Sequence, residues 1–211
     1  MSPGKLITFE GGEGAGKSTQ VMRLASTLRA KGIEPVLTRE PGGAPGAEEI
    51  RALLVQGSPG RWTPTTEALL HYAARGDHLE RTILPALGAG RWVVSDRFAD
   101  STMAYQGYGH KLGRATIESL HQLVVGDLAP HLTLILDIPV AEGLKRAAAR
   151  ASPDTRYERM DGAFHERLRQ GFLEIAAREP GRCVVVDATR NADAVAADVW
   201  TAVEQRLLAK G

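Results

Sequence analysis

Cysteine and net charge are scarce in this chain, and long apolar runs are missing. Its 211 residues include a single cysteine, Cys183, which excludes an internal disulfide and suits a reducing compartment. The 26 basic and 25 acidic residues leave a formal net charge of +1, so neither a polybasic nucleic-acid surface nor an acidic tail is indicated. No stretch of about 18 apolar residues occurs, and the N-terminal segment lacks the apolar region of a signal peptide. The sequence therefore predicts a cytoplasmic protein with neither nucleic-acid nor membrane partners.

Short apolar runs alternate with longer segments of helical periodicity. The candidate strands are Leu6–Phe9, Pro35–Thr38, Trp92–Ser95, Leu132–Asp137 and Cys183–Val186. The candidate helices are Lys17–Lys31, Ala47–Gln56, Thr66–Leu87, Arg114–Val125, Ala141–Ala149, Asp161–Arg178 and Ala192–Lys210. The strands are short and rich in β-branched residues, which is typical of strands buried on both faces. The alternation predicts an α/β fold with a central parallel sheet of five strands and helices on both faces, as one domain over residues 1–211.

Two segments interrupt this pattern. Glycine and proline in the run Pro41–Gly46 predict a loop. The segment Arg150–Arg159 is polar, contains Pro153 and joins two arginine-rich helical stretches. It is either a surface connection or part of a mobile lid over residues 146–159.

A glycine-rich segment has the spacing G-x-x-x-x-G-K-[ST] of a phosphate-binding loop. It follows an apolar strand and opens an amphipathic helix, so backbone N–H groups and the helix N-terminus would face a triphosphate. Lys17 would reach the β- and γ-phosphates, and the Ser18 hydroxyl would bind Mg²⁺. We therefore predict ATP and Mg²⁺ as cofactors. The predicted nucleotide-binding residues are Gly11, Gly12, Glu13, Gly14, Ala15, Gly16, Lys17, Ser18 and Thr19.

A carboxylate at the end of another central strand would complete the magnesium site. Asp96 follows one apolar run and Asp137 follows another, so both are candidates. We favour Asp96 because Arg97 comes directly after it and places a cation where a phosphoryl acceptor would lie. The alternative is that Asp96 and Arg97 form an ion pair at the end of a strand.

Several segments resemble the bacterial thymidylate kinase family, over essentially the whole chain. Besides the phosphate-binding loop they are Thr38-Arg39-Glu40-Pro41-Gly42-Gly43, Tyr72-Ala73-Ala74-Arg75, Asp96-Arg97, Ser101-Thr102, Ala104-Tyr105-Gln106-Gly107, Leu136-Asp137 and Gly143-Leu144-Lys145-Arg146. The resemblance implies the fold of the P-loop nucleoside monophosphate kinases. It also implies phosphorylation of thymidylate by ATP in dTTP synthesis, and a homodimer packed through helices.

The resemblance also implies roles for individual residues. Arg97 would hold the acceptor phosphate, for which a planar guanidinium is suited. Glu13 would lie near the sugar 3′-hydroxyl. Arg75 would donate to O4 of thymine, where cytosine carries an amino donor instead. The other implied acceptor-site residues are Glu40, Pro41, Ser101, Thr102, Tyr105 beneath the sugar, and Gln106 near the base.

The sequence departs from the family pattern at His71, where a phenylalanine commonly stacks on thymine. Either the imidazole stacks on the base or the base site is rearranged. The phosphate-binding loop also lacks the arginine that some members carry, so the lid would supply the catalytic cation from Arg146, Arg150 or Arg156. We favour Arg150 and Arg156 as catalytic, with Glu158 organising the closed lid.

Two other functions are compatible with the phosphate-binding loop alone. The first is a kinase for a different nucleoside monophosphate or for a deoxynucleoside. The second is a P-loop switch or motor protein, which is disfavoured because the chain has no Asn-Lys-x-Asp guanine-binding motif and no basic track.

Overall fold

The computed structural model describes residues 4–149 and 156–209. Five parallel strands form one sheet in the order β2-β3-β1-β4-β5. They are β1 (Leu6–Glu10), β2 (Val36–Arg39), β3 (Val93–Asp96), β4 (Leu132–Asp137) and β5 (Cys183–Asp187). The predicted fold class is confirmed, and every predicted strand boundary lies within one residue of the observed one.

Nine α-helices are described, several of them extended by π-helical turns. They are α1 (Lys17–Ala30), α2 (Pro45–Val55), α3 (Pro64–His78), α4 (Leu84–Gly88), α5 (Ala99–Thr102), α6 (Arg114–Val124), α7 (Val140–Ala148), α8 (Gly162–Arg178) and α9 (Ala192–Val203). The π-helical turns are Leu79–Ile83 between α3 and α4, Met103–Gly109 after α5, and Glu204–Leu208 after α9; a short 3₁₀ turn spans Pro59–Arg61. Within the described ranges, no helix has the length and apolarity needed to cross a membrane.

The predicted helices differ from the observed ones for local reasons. The predicted loop ends sooner than expected, because Pro45 occupies the first turn of α2, where a missing N–H costs nothing. Similarly, α3 begins at Pro64, and the hydroxyl of Thr63 caps it by accepting from the N–H of Thr66 at 3.2 Å. The helical segment 99–109 was not predicted, because it is buried on nearly every side and therefore has no polar face.

Helices cover both faces of the sheet. On one face α1 and α9 pack against β1 and β4, with Leu24 and Val199 in the apolar cluster. On the other face α3, α6 and α8 pack together around Ile135 and Phe172. All strands are parallel, so their carboxyl ends share one edge of the sheet, which is where ligands bind in open α/β sheets.

Candidate functional site

A cleft of about 300 Å³ opens at the carboxyl edge of the sheet. Its walls come from the loop after β1, from the ends of β2 and β3, and from α3 and the 99–109 segment. All of the predicted acceptor-site residues line it, as do Lys17, Ser18 and Asp96. The parallel strand order thus places the predicted donor and acceptor residues around one cavity.

The loop after β1 has the shape of a phosphate cradle. Gly14 and Gly16 adopt positive φ angles of 69° and 89°, and Gly16 directly precedes the first residue of α1. A Cβ at Gly14 would overlap the carbonyl oxygen of Gly143 in α7, so only glycine allows this close approach. The Lys17 ammonium donates to the carbonyls of Gly11 and Gly12 at 3.1 and 2.8 Å. These contacts hold the lysine in the loop beside the N-terminus of α1.

Ser18 and Asp96 form the oxygen pair expected for a magnesium site. Oγ of Ser18 donates to Oδ2 of Asp96 at 2.5 Å, at the rim of the cleft. Asp137, the competing candidate, instead accepts from Nε and Nη2 of Arg169 at 2.7 and 2.9 Å. The geometry therefore favours Asp96, and a hydroxyl beside a carboxylate suits Mg²⁺, which takes few protein ligands and keeps phosphate and water oxygens.

Arg97 follows β3 in a strained backbone conformation. Its φ angle is 72°, in the left-handed region that side-chain-bearing residues rarely adopt. Nη1 donates to the carbonyl of Gly11 and to Oγ of Ser101, both at 3.1 Å, and Nη2 donates to Oε1 of Glu13 at 3.1 Å. The guanidinium is thereby fixed directly beside the phosphate cradle. Backbone strain of this kind clusters at functional sites.

Glu13 and Tyr105 complete the wall next to Arg97. The Tyr105 hydroxyl donates to Oε1 of Glu13 at 2.5 Å, and the Arg97 guanidinium lies 4.9 Å from the centre of the Tyr105 ring. Burial alone would raise the pKa of Glu13, but Arg97 and Lys17 bring it down to about 2. A carboxylate that stays ionised is therefore available to accept a hydrogen bond in the cleft.

Arg75 is buried at the opposite wall, with one nitrogen left over. Nε donates to Oε2 of Glu40 at 2.8 Å, and Nη2 donates to the carbonyl of Phe98 and the hydroxyl of Thr102 at 3.1 and 2.9 Å. Nη1 has no hydrogen-bond partner among residues 4–149 and 156–209. A buried N–H without a partner costs about 1–3 kcal/mol. Because Arg75 lines the cleft, this N–H is a candidate donor to a ligand there.

Gln106 supplies a matching acceptor. Its Nε2 donates to Oε1 of Glu67 at 2.7 Å, while its Oε1 finds no partner in the described part of the chain. Burial alone would raise the pKa of Glu67, but nearby groups that include Arg156 lower it to about 2. An ionised carboxylate only accepts, so the amide N–H₂ must face Glu67 and the oxygen remains for a ligand.

Three residues predicted at the acceptor instead hold other side chains. Glu40 is 5% exposed, and its carboxylate is engaged by Arg75 and His78. The Ser101 hydroxyl donates to Glu10 at 2.5 Å and accepts from Arg97, and the Thr102 hydroxyl accepts from Arg75. All three line the cleft, but their polar atoms orient the arginines. Pro41 also lines the cleft.

His71 lies in the cleft wall and contacts Tyr157, which was not predicted as a site residue. The two are joined by a hydrogen bond of 2.9 Å between Nε2 and the tyrosine hydroxyl. Burial lowers the pKa of His71 to about 4, so the imidazole is neutral near pH 7. A neutral ring in the wall is compatible with stacking on a base, which stays a prediction.

Two of the three predicted lid arginines fall within the described residues. Arg150 falls outside the described residues. Arg146, in α7, donates to the carbonyls of Ala188 and Thr189 at 2.8 and 3.1 Å, away from the cleft. Glu158 lines the cleft, and its role in organising the closed lid stays a prediction.

Arg156, which was predicted to be a catalytic lid arginine, is fully buried and does not line the cleft. It pairs with the carboxylate of Glu67 and donates to the carbonyls of Leu54, Ser58 and Pro59 at 2.9–3.1 Å. Each of its three guanidinium nitrogens is engaged by residues of α2, of α3 or of the connection between them, so the guanidinium is held outside the cleft in this arrangement. Sequence reasoning missed this because a lone arginine in a polar segment suggests exposure.

Sequence reasoning also missed Glu10, which lies beneath the site at the end of β1. Its Oε1 accepts from the N–H of Phe98 at 2.8 Å and its Oε2 accepts from Ser101. Burial, together with the charge of Asp100, raises the pKa of Glu10 to about 8. The available signal was a carboxylate that interrupts a wholly buried strand just before the glycine-rich loop.

Comparisons with known proteins agree with this geometry. A sequence model of the family described as "Thymidylate kinase" matches residues 9–199. A curated thymidylate kinase from Caulobacter vibrioides is 57% identical over 207 residues, which cover 98% of this chain and 99% of that protein. One from Dinoroseobacter shibae is 55% identical over 197 residues, covering 93% and 95%. A crystal structure of thymidylate kinase from Ehrlichia chaffeensis is similar with a TM-score of 0.76 at 34% identity, covering 94% of this chain and 98% of that one.

Proposed function

Since the chain belongs to the thymidylate kinase family, it is a nucleoside monophosphate kinase that phosphorylates thymidylate, and we propose that it does so by direct in-line transfer from Mg·ATP within the cleft. An oxygen of the acceptor phosphate attacks the γ-phosphorus, and the bond to the bridging oxygen of ADP breaks. The acceptor is already an anion near neutral pH because its second pKa is about 6. No general base is needed, so positioning and electrostatics supply the catalysis.

The donor side is formed by the loop after β1 and the start of α1. Backbone N–H groups of this loop and the ammonium of Lys17 bind the phosphates, and Thr19 lies exposed in the first turn of α1. Ser18 and Asp96 would hold Mg²⁺, which neutralises charge on the β- and γ-phosphates. The described residues contain no group of three or more His, Cys, Asp or Glu side chains that could hold a metal alone. The other ligands of the ion would therefore be phosphate oxygens and water.

The observation that carries the choice of base is the unpaired donor and acceptor in one cleft. Nη1 of Arg75 can donate to O4 of thymine, and Oε1 of Gln106 can accept from its N3–H. Cytosine has the opposite pattern, because it carries an amino donor where thymine has O4 and an acceptor nitrogen where thymine has N3–H. A site with buried polar groups penalises such a base strongly, because both groups stay unpaired. His71 stacks on the ring, and Tyr105 and Glu13 lie at the sugar.

Arg97 binds the acceptor phosphate in this proposal. Its guanidinium already lies within hydrogen-bond reach of Glu13 and the carbonyl of Gly11, beside the loop that holds the γ-phosphate. Arg150 supplies the catalytic lid cation, and Glu158 organises the closed lid over residues 146–159. Arg156 stabilises the wall of the cleft by pairing with Glu67, and it does not contact the transferred phosphoryl group.

A panel of acceptors tests the proposal. Coupled ADP-release assays would compare thymidylate, deoxyuridylate, deoxycytidylate and thymidine, each with Mg·ATP. We expect kcat/KM for thymidylate to exceed that for deoxycytidylate by about 10⁴-fold or more, because two buried groups stay unpaired with cytosine. Arg75→Met should reduce this ratio. Comparable rates for both monophosphates would rule out the proposed base recognition, and activity on thymidine alone would favour a deoxynucleoside kinase.

We also propose a homodimer that packs through α3 and α6. Leu69 on α3 is 51% exposed and Leu123 on α6 is 82% exposed, while Gly76 of α3 lies against Val124 of α6. Exposed apolar side chains on adjacent helices suit a protein interface. Leu53 on α2 adds a third exposed leucine.

A charge on this surface should dissociate the dimer. Leu123→Glu would bury an unpaired carboxylate, for which we expect a loss of about 2–5 kcal/mol in association free energy. Sedimentation equilibrium over a concentration series measures the change. Met22→Glu is the control, because Met22 is 59% exposed on α1, which covers the other face of the sheet. An unchanged association constant for Leu123→Glu would exclude this surface.

A further inference from the structure

Three hydrogen bonds in series lead from β2 to the guanidinium of Arg75. Oγ1 of Thr38 lies 2.6 Å from Nε2 of His78, and Nδ1 of the same ring lies 3.0 Å from Oε1 of Glu40. Oε2 of Glu40 accepts from Nε of Arg75 at 2.8 Å. His78 is fully buried, and Glu40 and Arg75 are 5% and 2% exposed, so bulk water does not compete for these bonds.

The chemistry of the groups gives the series one direction. Burial alone would raise the pKa of Glu40, but the charge of Arg75 and the hydrogen bond from His78 lower it. An ionised carboxylate only accepts, so Nδ1 of His78 carries the hydrogen that goes to Glu40. In the imidazole with a single N–H, Nε2 then accepts from the Thr38 hydroxyl. Each of the two carboxylate oxygens thus has its own donor.

The backbone closes tightly over this contact. Gly43 adopts a φ angle of 83°, and a Cβ there would overlap both Nε2 of His78 and Oγ1 of Thr38. The imidazole therefore has little room to turn away from Glu40. With one oxygen of Glu40 held by His78, the other stays beside Nε and Nη2 of Arg75.

Arg75 depends on this arrangement for its orientation. Oε2 of Glu40 lies 2.8 Å from Nε and 2.7 Å from Nη2, and Nη2 also donates to Phe98 and Thr102. These contacts leave Nη1 as the nitrogen of Arg75 without a partner in the described ranges. If Glu40 turned, the guanidinium could rotate and present a different N–H to the ligand.

We propose that His78, supported by Thr38, is a positioning residue for base discrimination, because it fixes Glu40 and thereby orients Nη1 of Arg75 toward O4 of the acceptor base. This inference rests on the proposed function of the cleft. His78 touches no substrate, so its effect must pass through Arg75. The donor site, bounded by Lys17 and Ser18, should not respond to it.

Replacement of His78 should change thymidylate binding alone. His78→Leu removes the donor to Glu40, and we expect the KM for thymidylate to rise about 10–100-fold, the cost of a small misplacement of a binding group. The KM for ATP should stay unchanged, and the preference for thymidylate over deoxycytidylate should narrow. His78→Asn should restore much of the affinity, since its amide nitrogen can occupy the position of Nδ1. His131→Asn is the control, because His131 binds the N–H of Leu6 at the other end of the sheet.

A double-mutant cycle decides whether His78 acts through Arg75. Steady-state kinetics would compare the wild type, His78→Leu, Arg75→Met and the double variant, with thermal unfolding measured for each. We expect His78→Leu to raise the KM for thymidylate in the wild type but to add nothing in the Arg75→Met background. Equal effects in both backgrounds, or a parallel rise in the KM for ATP, would overturn the proposal.

A milder variant keeps the test valid if His78→Leu does not fold. Thr38→Val replaces the hydroxyl by a methyl group of about the same size and should raise the KM for thymidylate about three- to tenfold, the value of one hydrogen bond. An unchanged KM in Thr38→Val, with His78→Asn no better than His78→Leu, would also overturn it. Failure of the proposed function is distinguishable, because it would appear as a wild type that discriminates poorly between thymidylate and deoxycytidylate.

Discussion

Arg97→Ala is expected to lower turnover by about 10³-fold or more while ATP binding survives. The guanidinium lies beside the phosphate cradle, where it donates to Glu13, Gly11 and Ser101. The backbone of Arg97 has a left-handed conformation. Arg97 aligns the acceptor phosphate with the γ-phosphate, and the alignment of two reactants contributes several orders of magnitude to the rate. Its loss should also weaken acceptor binding, since the planar fork contacts phosphate oxygens in pairs. Single-turnover kinetics would measure the chemical step, and calorimetry would measure ATP affinity.

Two variants make this result specific. Arg97→Lys keeps the charge but not the fork, so it should recover only part of the rate. Arg178→Ala removes an arginine that is paired with Glu174 on the outer surface of α8, and it should retain full turnover. Turnover of Arg97→Ala within a few-fold of the wild type would remove Arg97 from the mechanism. Lost ATP affinity would assign it to the donor side.

The sequence predicts the parts of the site that local rules determine. The spacing of glycine, lysine and serine after β1 is sufficient to predict the phosphate-binding loop. Backbone geometry requires glycine where φ is positive and where α7 approaches Gly14. The strands can also be predicted from local sequence, since each is a short apolar run that ends at a polar residue. Asp96 was distinguished from Asp137 by the neighbouring Arg97 alone, and the hydrogen bond from Ser18 supports that choice.

The order of the strands could not be predicted from local rules. β1 pairs with β3 on one side and with β4 on the other, so its neighbours are distant in sequence. That order places Arg97, after β3, directly beside the loop after β1. Alternation of strands and helices predicts a parallel sheet but leaves several orders open.

The supporting carboxylates were also beyond sequence reasoning. Glu10, Glu40 and Glu67 are almost fully buried, and each holds a polar side chain at the cleft. A sequence suggests exposure for glutamate because an isolated buried charge is so unfavourable. Burial becomes acceptable for Glu40 and Glu67 because arginine, histidine or amide donors from remote segments converge on each carboxylate. Burial raises the pKa of Glu10 to about 8 instead, so that group is mostly protonated near pH 7 and carries little buried charge. Base recognition therefore depends on contacts between distant segments, which the spacing of residues in the sequence does not predict.

Arg156→Met tests the reassignment of a predicted catalytic arginine. Its guanidinium pairs with Glu67 and binds carbonyls of residues 54–59, which lie about a hundred positions earlier in the chain. The variant leaves the carboxylate of Glu67 buried without the guanidinium that pairs with it. Breaking a buried pair in this way costs about 3–5 kcal/mol, so we expect the free energy of unfolding to fall by that amount. Urea denaturation at pH 7 would measure it.

The pH dependence gives this prediction a second signature. The pKa of Glu67 is lowered from 4.5 to about 2 in the folded protein, so its ionised form stabilises the fold above pH 4.5. That stabilisation is lost as the pH falls toward 2. The difference in stability between the wild type and Glu67→Gln should therefore shrink from pH 4.5 downward.

A catalytic role for Arg156 would give the opposite pattern of results. Removal of an arginine that contacts the transferred phosphoryl group would lower turnover by about 10³–10⁵-fold and would change the free energy of unfolding little. Removal of a residue that supports the cleft wall should instead mainly lower the free energy of unfolding. Saturating thymidylate should restore part of that free energy, because it binds the folded state. Glu67→Gln should share both effects, because Glu67 orients Gln106 as well as pairing with Arg156. A fully stable Arg156→Met with a large loss of turnover would return Arg156 to the catalytic group, and a lid that opens and turns its guanidinium toward ATP would then be required.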